Sequence, residues 1–196
     1  MFGTGVRVVA VAVTMAAAVG CGSEQQEAAG DDSSSYKYKL QRSDWEWQHK
    51  PSPFDAQLRL DDGRRVALHY RKKTGLVEQH YSPKAKAWSK PQVVYRTKMD
   101  ACQGIELREA NGTVGVIADF GLYCYDGEPP RRSLALVGTG SMRDWDVDVT
   151  ADFDGWRKVV VDGNGKRVTF SRKSWAGRWS VVWKMGDGYS GKKTAP

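Results

Sequence analysis

The chain has 196 residues, 40% of them hydrophobic, with 8 Trp and a formal net charge of +7. It is too apolar and aromatic for a disordered protein and too polar for a polytopic membrane protein. Its 3 Cys are too few for a disulfide-dense scaffold, and their spacing matches no zinc finger.

Residues 1–20 read as an address. Arg7 precedes an apolar run from Val8 to Val19. A membrane span needs about 20 apolar residues, whereas a signal-peptide core needs roughly 7–15. Small residues then lead through Ala18-Val19-Gly20 to Cys21. This resembles the lipobox of bacterial lipoproteins of the Gram-positive, actinobacterial type, with Ala18 standing where Leu is usual. The resemblance implies cleavage before Cys21 and acylation of its thiol by palmitate-type chains. It also implies residence on the extracytoplasmic face of the cell membrane. Two or three chains anchor stably where one is marginal.

Residues 21–35 are then the lipidated Cys and an acidic tether. The tether has no large apolar residue and carries Glu24, Glu27, Asp31 and Asp32. Such a segment cannot bury a core, and it spans some 20 Å as a coil. The positive charge therefore concentrates beyond residue 35, where it favours an anionic membrane or wall. Nucleic acid is not an expected partner of an exported, tethered protein. With Cys21 acylated, Cys102 and Cys124 remain as an even pair outside the cytoplasm, and we expect them to be oxidised together.

Residues 36–186 show one pattern three times: apolar strand, turn, apolar strand. The turns are Asp61-Asp62-Gly63, Asn111-Gly112 and Asn164-Gly165. Asn-Gly suits a two-residue hairpin because both positions need φ > 0, and Asp-Asp-Gly suits a three-residue loop with a left-handed Gly. These turns pair Leu58 with Val66, Leu107 with Val116, Ile105 with Ala118, Val161 with Val168, and Val159 with Phe170. Apolar meets apolar in every case. The second hairpin also brings Cys102 and Cys124 within about three residues of register, in line with the disulfide.

Further strands are expected at Leu76–Tyr81, Gln92–Tyr95, Leu134–Val137, Trp145–Val149 and Trp179–Trp183. No 3.6-residue periodicity follows the signal segment. Repeats of ~40–50 residues with four short strands are the signature of propeller blades. The expected fold is all-β: a propeller-like antiparallel meander of about three four-stranded repeats, with a β-sandwich as the alternative. The third repeat shows no clear fourth strand. Tyr36–Leu40 and Trp45–His49 are candidates to close the sheet, and residues 187–196 read as a flexible tail.

The stretch Trp88-Ser89-Lys90-Pro91-Gln92-Val93-Val94-Tyr95, with Ser82 before it, resembles the end of an Asp-box repeat in sialidase-type propellers. Ser141-Met142-Arg143-Asp144-Trp145 is a second, shorter match. The Asp and Gly of the box are absent at 84–86. The resemblance implies architecture. None of the sialidase catalytic roles transfers to a residue of this chain.

Candidate sites are few. Asp144, Asp146, Asp148, Asp152 and Asp154 crowd one stretch. Alternation there puts Trp145, Val147 and Val149 on one face and Asp146, Asp148 and Thr150 on the other, which is a half-buried strand rather than a calcium loop. Opposing Arg71 to Leu76 across the Lys72–Gly75 turn places His69 and His80 on one face, half a zinc site at most. No catalytic residue, metal site or cofactor is expected. Trp45 and Trp47 share a strand face in this reading. Trp88, Trp145, Trp175 and Trp179 are candidates for stacking on a ligand, though core filling is the commoner use of Trp. The implied function is a non-catalytic, membrane-anchored binding or scaffold module, with a surface glycan-binding protein or degenerate sialidase-like glycosidase as the alternative. The expected partners are the membrane, a cell-wall glycan or an envelope protein.

Overall fold

A computed structural model describes residues 35–48, 50–124, 127–175 and 177–190. Cys21, the signal segment, most of the tether, His49 and residues 191–196 lie outside them. The described chain is all-β, in three antiparallel sheets that follow one another in sequence.

The first sheet holds β1 (Tyr36–Tyr38), β2 (Asp55–Arg59), β3 (Arg65–Arg71), β4 (Gly75–Ser82), β5 (Ala87–Ser89) and β6 (Gln92–Arg96). β2, β3 and β4 form a meander. β5 and β6 share the far edge of β4, β5 beside Tyr81 and Ser82 and β6 beside Gly75 to Glu78. Together they make one fourth strand, broken at Lys90-Pro91, where Pro offers no N–H to a ladder. The second sheet holds β7 (Asp100–Ala101), β8 (Glu106–Ala110), β9 (Thr113–Gly121), β10 (Arg132–Gly138) and β11 (Trp145–Ala151). Here the first strand is the broken one, since β7 and β8 share one edge of β9. The third sheet is an unbroken meander of β12 (Lys158–Val161), β13 (Arg167–Ser174), β14 (Gly177–Lys184) and β15 (Gly188–Ser190).

The hairpin registers read from the turns are observed, except that Ile105 lies just before β8 and donates its N–H to Pro53 O instead of pairing with Ala118. Leu58 opposes Val66, Leu107 opposes Val116, Val159 opposes Phe170, and Val161 opposes Val168. Asn111 and Gly112 both take positive φ, 49° and 74°, as a type I′ turn requires. The third loop is longer than two residues: Asp162 N–H bonds to Arg167 O, and only Gly165 is left-handed. The register survives because the extra residues are added in equal number on both sides.

Five expectations need correction. The third repeat does have a fourth strand, β15, which lies beyond residue 186. Tyr36–Tyr38 is a strand, but it pairs with β5 at the outer edge of the first sheet rather than completing the third. Residues 45–48 form no strand. In the β3–β4 turn Arg71 opposes Gly75, not Leu76. That one-residue slip inverts faces, so His69 and His80 lie on opposite sides of the sheet. In β11 the alternation fails at its end: Val149 is exposed on this edge strand while Thr150 is buried beside Ser133.

Alternation in each strand decides which sheet it faces. Val66, Leu68, Tyr70 and Leu76 of the first sheet pack against Val114, Val116, Ala118, Leu134 and Leu136 of the second. The other face of the second sheet offers Ile117, Ala135 and Val137 to Val159, Val168, Phe170, Val181 and Trp183 of the third. The middle sheet is thus covered on both sides, and every residue of β9 is buried. Gly115 permits the close approach: a Cβ there would stand 2.7 Å from Val159 Cγ2 and 2.9 Å from Val168 Cγ1. The first full strands of the three meanders lie side by side, β2 against β8 and β8 against β12, as in consecutive propeller blades. Polar bonds pin the stack. Tyr70 Oη accepts from Asp119 N at 3.0 Å, Trp183 Nε1 donates to Asp146 Oδ2 at 2.6 Å, and Tyr189 Oη donates to Ala135 O at 2.7 Å. The Cys102–Cys124 disulfide is formed, with Cα atoms 4.6 Å apart, beside Gly121.

Candidate functional site: a strap and a cleft on the first sheet

The outer face of the first sheet carries Ala67, His69, Val77 and Gln79, side chains that the middle sheet does not cover. Residues 39–44 cross this face as a strap. Its own sequence has no periodicity, so side-chain bonds hold it. Gln79 Oε1 accepts from Gln41 N at 2.8 Å, and Gln79 Nε2 donates to Lys39 O at 3.1 Å and Ser89 O at 2.9 Å. Asp55 Oδ1 accepts from Ser43 N, and Asp44 Oδ1 accepts from Lys72 N. Arg71 donates to Gln41 Oε1. Gln79 is fully buried, with its amide satisfied on both ends, which is what a buried amide requires.

Between the strap, residues 50–52 and β2 lies a cleft of about 710 Å³. Its walls include Arg42, Trp45, Trp47, Lys50, Asp55 and Gln57. Both indoles rest on Phe54, with ring centroids 6.0 Å away for Trp45 and 5.4 Å for Trp47. Trp47 is 45% exposed. Lys72 Nζ stands 5.3 Å from the Trp45 ring. Trp45 Nε1 and both ring nitrogens of His69 are buried and bond to no protein group among the described residues. Burial and the neighbouring Arg71 push the His69 pKa down to about 4, partly offset by Asp55 and Asp44. His69 is therefore neutral at pH 7, with one nitrogen to donate and one to accept. Aromatic faces, a carboxylate, amides and cations around one cleft can stack on and hydrogen-bond a polar ligand.

A second, smaller feature lies on the opposite face of β4. Glu78 and His80, two residues apart on a strand and hence on one face, bond through Oε1 and Nδ1 at 2.9 Å. Glu78 is fully buried, and burial raises its pKa against the His80 bond. His80 borders a pocket of about 390 Å³ with Tyr36, Ser89, Lys90 and Arg143. Ser89 Oγ is engaged with the main chain, accepting from His80 N and donating to Lys90 O, and so is not activated by the imidazole.

The four Trp singled out from the sequence are not brought together. Trp88, in β5, is buried against Tyr81 with the Arg65 guanidinium above it. Trp145, opening β11, covers Gly138 and donates Nε1–H to Met142 O at 3.1 Å. Trp179, in β14, packs inward on Phe153. Trp175 alone stands fully exposed, on the β13–β14 turn. None of the four lines either cleft. The aromatic pair that does is Trp45 and Trp47, which sequence reading treated as a strand face. Glu78 was missed, although Glu-x-His inside an apolar strand was its signal. Among the described residues no group of three or more His, Cys, Asp or Glu is placed to hold a metal, and no helix is long and apolar enough to cross a membrane. No protein-family profile matches this chain, and no curated protein matches it.

Proposed function

We propose that this protein is a membrane-anchored, extracytoplasmic binding module that works without catalysis, tethered through Cys21, with the strap cleft as its ligand site. The observation that carries the binding reading is the cleft itself, where Trp47 stays exposed beside Asp55 and Gln57 at about 710 Å³. The anchor rests on the lipobox-like stretch that ends at Cys21. A second reading names the ligand as a cell-surface glycan. Exposed indole beside planar hydrogen-bonding side chains favours it, because sugar rings present apolar faces edged by hydroxyls.

The test is an array of cell-wall and surface glycans probed with the wild type and with Trp47→Ala. Loss of at least ~10-fold in affinity, of the order expected when one aromatic anchor is removed, supports the glycan reading. Equal binding by the variant overturns the cleft as the site. Intact mass of the protein purified from membranes tests the anchor separately: a bare Cys21 thiol removes it.

A further inference from the structure

The outer face of the third sheet concentrates positive charge. Registers place Lys158, Arg167, Lys173, Arg178 and Lys184 together on it, with Lys173 directly opposite Arg178 and Arg167 opposite Lys184. All five are exposed. The remaining positions of the face are Val160, Val182, Thr169 and small residues, and none is acidic. Among the described residues none of the five cations is in a salt bridge. Asp162 and Asp187 belong to the turns at one end of the sheet. At the other end, between Lys173 and Arg178, the β13–β14 turn lifts Trp175 fully into solvent.

Five cations without counter-ions on a sheet face are not explained by folding, since like charges opposite one another destabilise a ladder. They offer a binding surface to an anionic partner. A second copy of the chain does not fit, because a symmetric contact would set cations against cations. A single-stranded nucleic acid would want aromatic platforms on the face, whereas among the described residues this face carries no indole and Trp175 stands at its rim. A flat cationic face with one Trp at the edge matches an anionic bilayer, where cations meet headgroups and Trp settles at the interface.

We infer that the outer face of the third sheet docks on an anionic lipid surface, with Trp175 inserted at headgroup level. This deepens the membrane-side reading proposed above by naming the surface that meets the bilayer. It does not require the lipid on Cys21.

The test uses the full chain and two kinds of vesicle, phosphatidylcholine alone and phosphatidylcholine with phosphatidylglycerol at about 3:1. Every variant shares residues 1–20, so the change in the ratio of binding to the two reports the substituted surface. Lys173→Glu with Arg178→Glu is compared with Lys37→Glu with Lys84→Glu, an equal change of net charge on exposed positions of β1 and the β4–β5 turn. Each cation near an anionic surface is worth roughly fivefold in binding, so the third-sheet variant should lower the ratio at least ~10-fold. The control pair should lower it less than ~3-fold, and salt should abolish the difference. Brominated lipid should quench wild-type fluorescence more than that of Trp175→Phe. Equal losses from both charge variants would mean net charge alone acts, and the inference fails. It fails also if the third-sheet variant keeps its vesicle ratio, or if it loses binding to an oligonucleotide while keeping the ratio. A bare Cys21 with an intact vesicle ratio would overturn the anchor and leave this surface standing.

Discussion

His69 and Asp119 are buried titratable side chains whose effects on stability oppose each other. His69 ionises near 4 in the folded chain and 6.5 without its surroundings. Its contribution is therefore fully present above about 6.5 and is lost as the pH falls towards 4. Asp119 is pushed up to about 6 by burial, against the Ser133 hydrogen bond and the charges of Arg157 and Arg172. One carboxylate oxygen, Oδ1, has no hydrogen-bond partner among the described residues. Its folded form holds a proton that the unfolded chain has released, so its contribution is present at low pH and is lost as the pH rises through 6. Each shift corresponds to about 3 kcal/mol at 1.36 kcal/mol per pH unit. The two slopes oppose each other, and Glu78, whose pKa burial also raises, adds a slope of the Asp119 sign. Asp119→Asn removes one slope, so its urea midpoint should rise relative to the wild type from pH 4 to 6.5. His69→Gln should do the reverse. Urea titrations of wild type and variants at four pH values decide the matter, and an Asp119→Asn midpoint that stays parallel to the wild type's would refute the assignment.

At the scale of the element, what the chain reveals before it folds is what short-range stereochemistry dictates. Asn111-Gly112 and Asp61-Asp62-Gly63 allow few backbone conformations, so their hairpins and registers could be read directly. The turn Lys72-Lys73-Thr74 carries no such instruction. Lys73 takes φ 59° there, and misjudging its length by one residue misplaced both His. β15 was invisible because three residues of Gly, Tyr and Ser have no periodicity; its Tyr189 hydroxyl, bonded to Ala135 O across the sheets, shows how it is held. The strap was invisible for a like reason, because its partner Gln79 is a polar residue mid-strand that reads as a solvent-facing position. Gly115 shows the same limit for packing: nothing local requires a glycine in β9, and only the third sheet explains it. Gly115→Ala should overpack Val159 and Val168 and cost about 1–3 kcal/mol, although alanine prefers a strand to glycine. Thermal unfolding of this variant checks the direction. A stabilised Gly115→Ala protein would show that the second and third sheets do not approach as described.

The arrangement of three sheets makes the whole molecule one cooperative body, because the middle sheet serves two cores at once. In β9 Val116 belongs to the core with the first sheet and Ile117 to the core with the third. Removing either outer sheet would bare an entire face of β9 and β10 to water, and neither outer sheet has a second partner to bury its own apolar face. Partial unfolding is therefore costly, in contrast to a solenoid whose repeats contact their neighbours through separable interfaces. Leu68→Ala, in the first core, should cost about 2–5 kcal/mol, and Phe170→Ala, in the second, about 3–5 kcal/mol. Both should lower one and the same transition. The check is coincidence of probes. Near-ultraviolet circular dichroism sees all the aromatics, whereas fluorescence of a variant keeping only Trp156 and Trp183 sees the second core. If the two midpoints separate in Phe170→Ala, the third sheet unfolds on its own and the middle sheet does not couple the cores. If they move together in both variants, the stack behaves as a single unit.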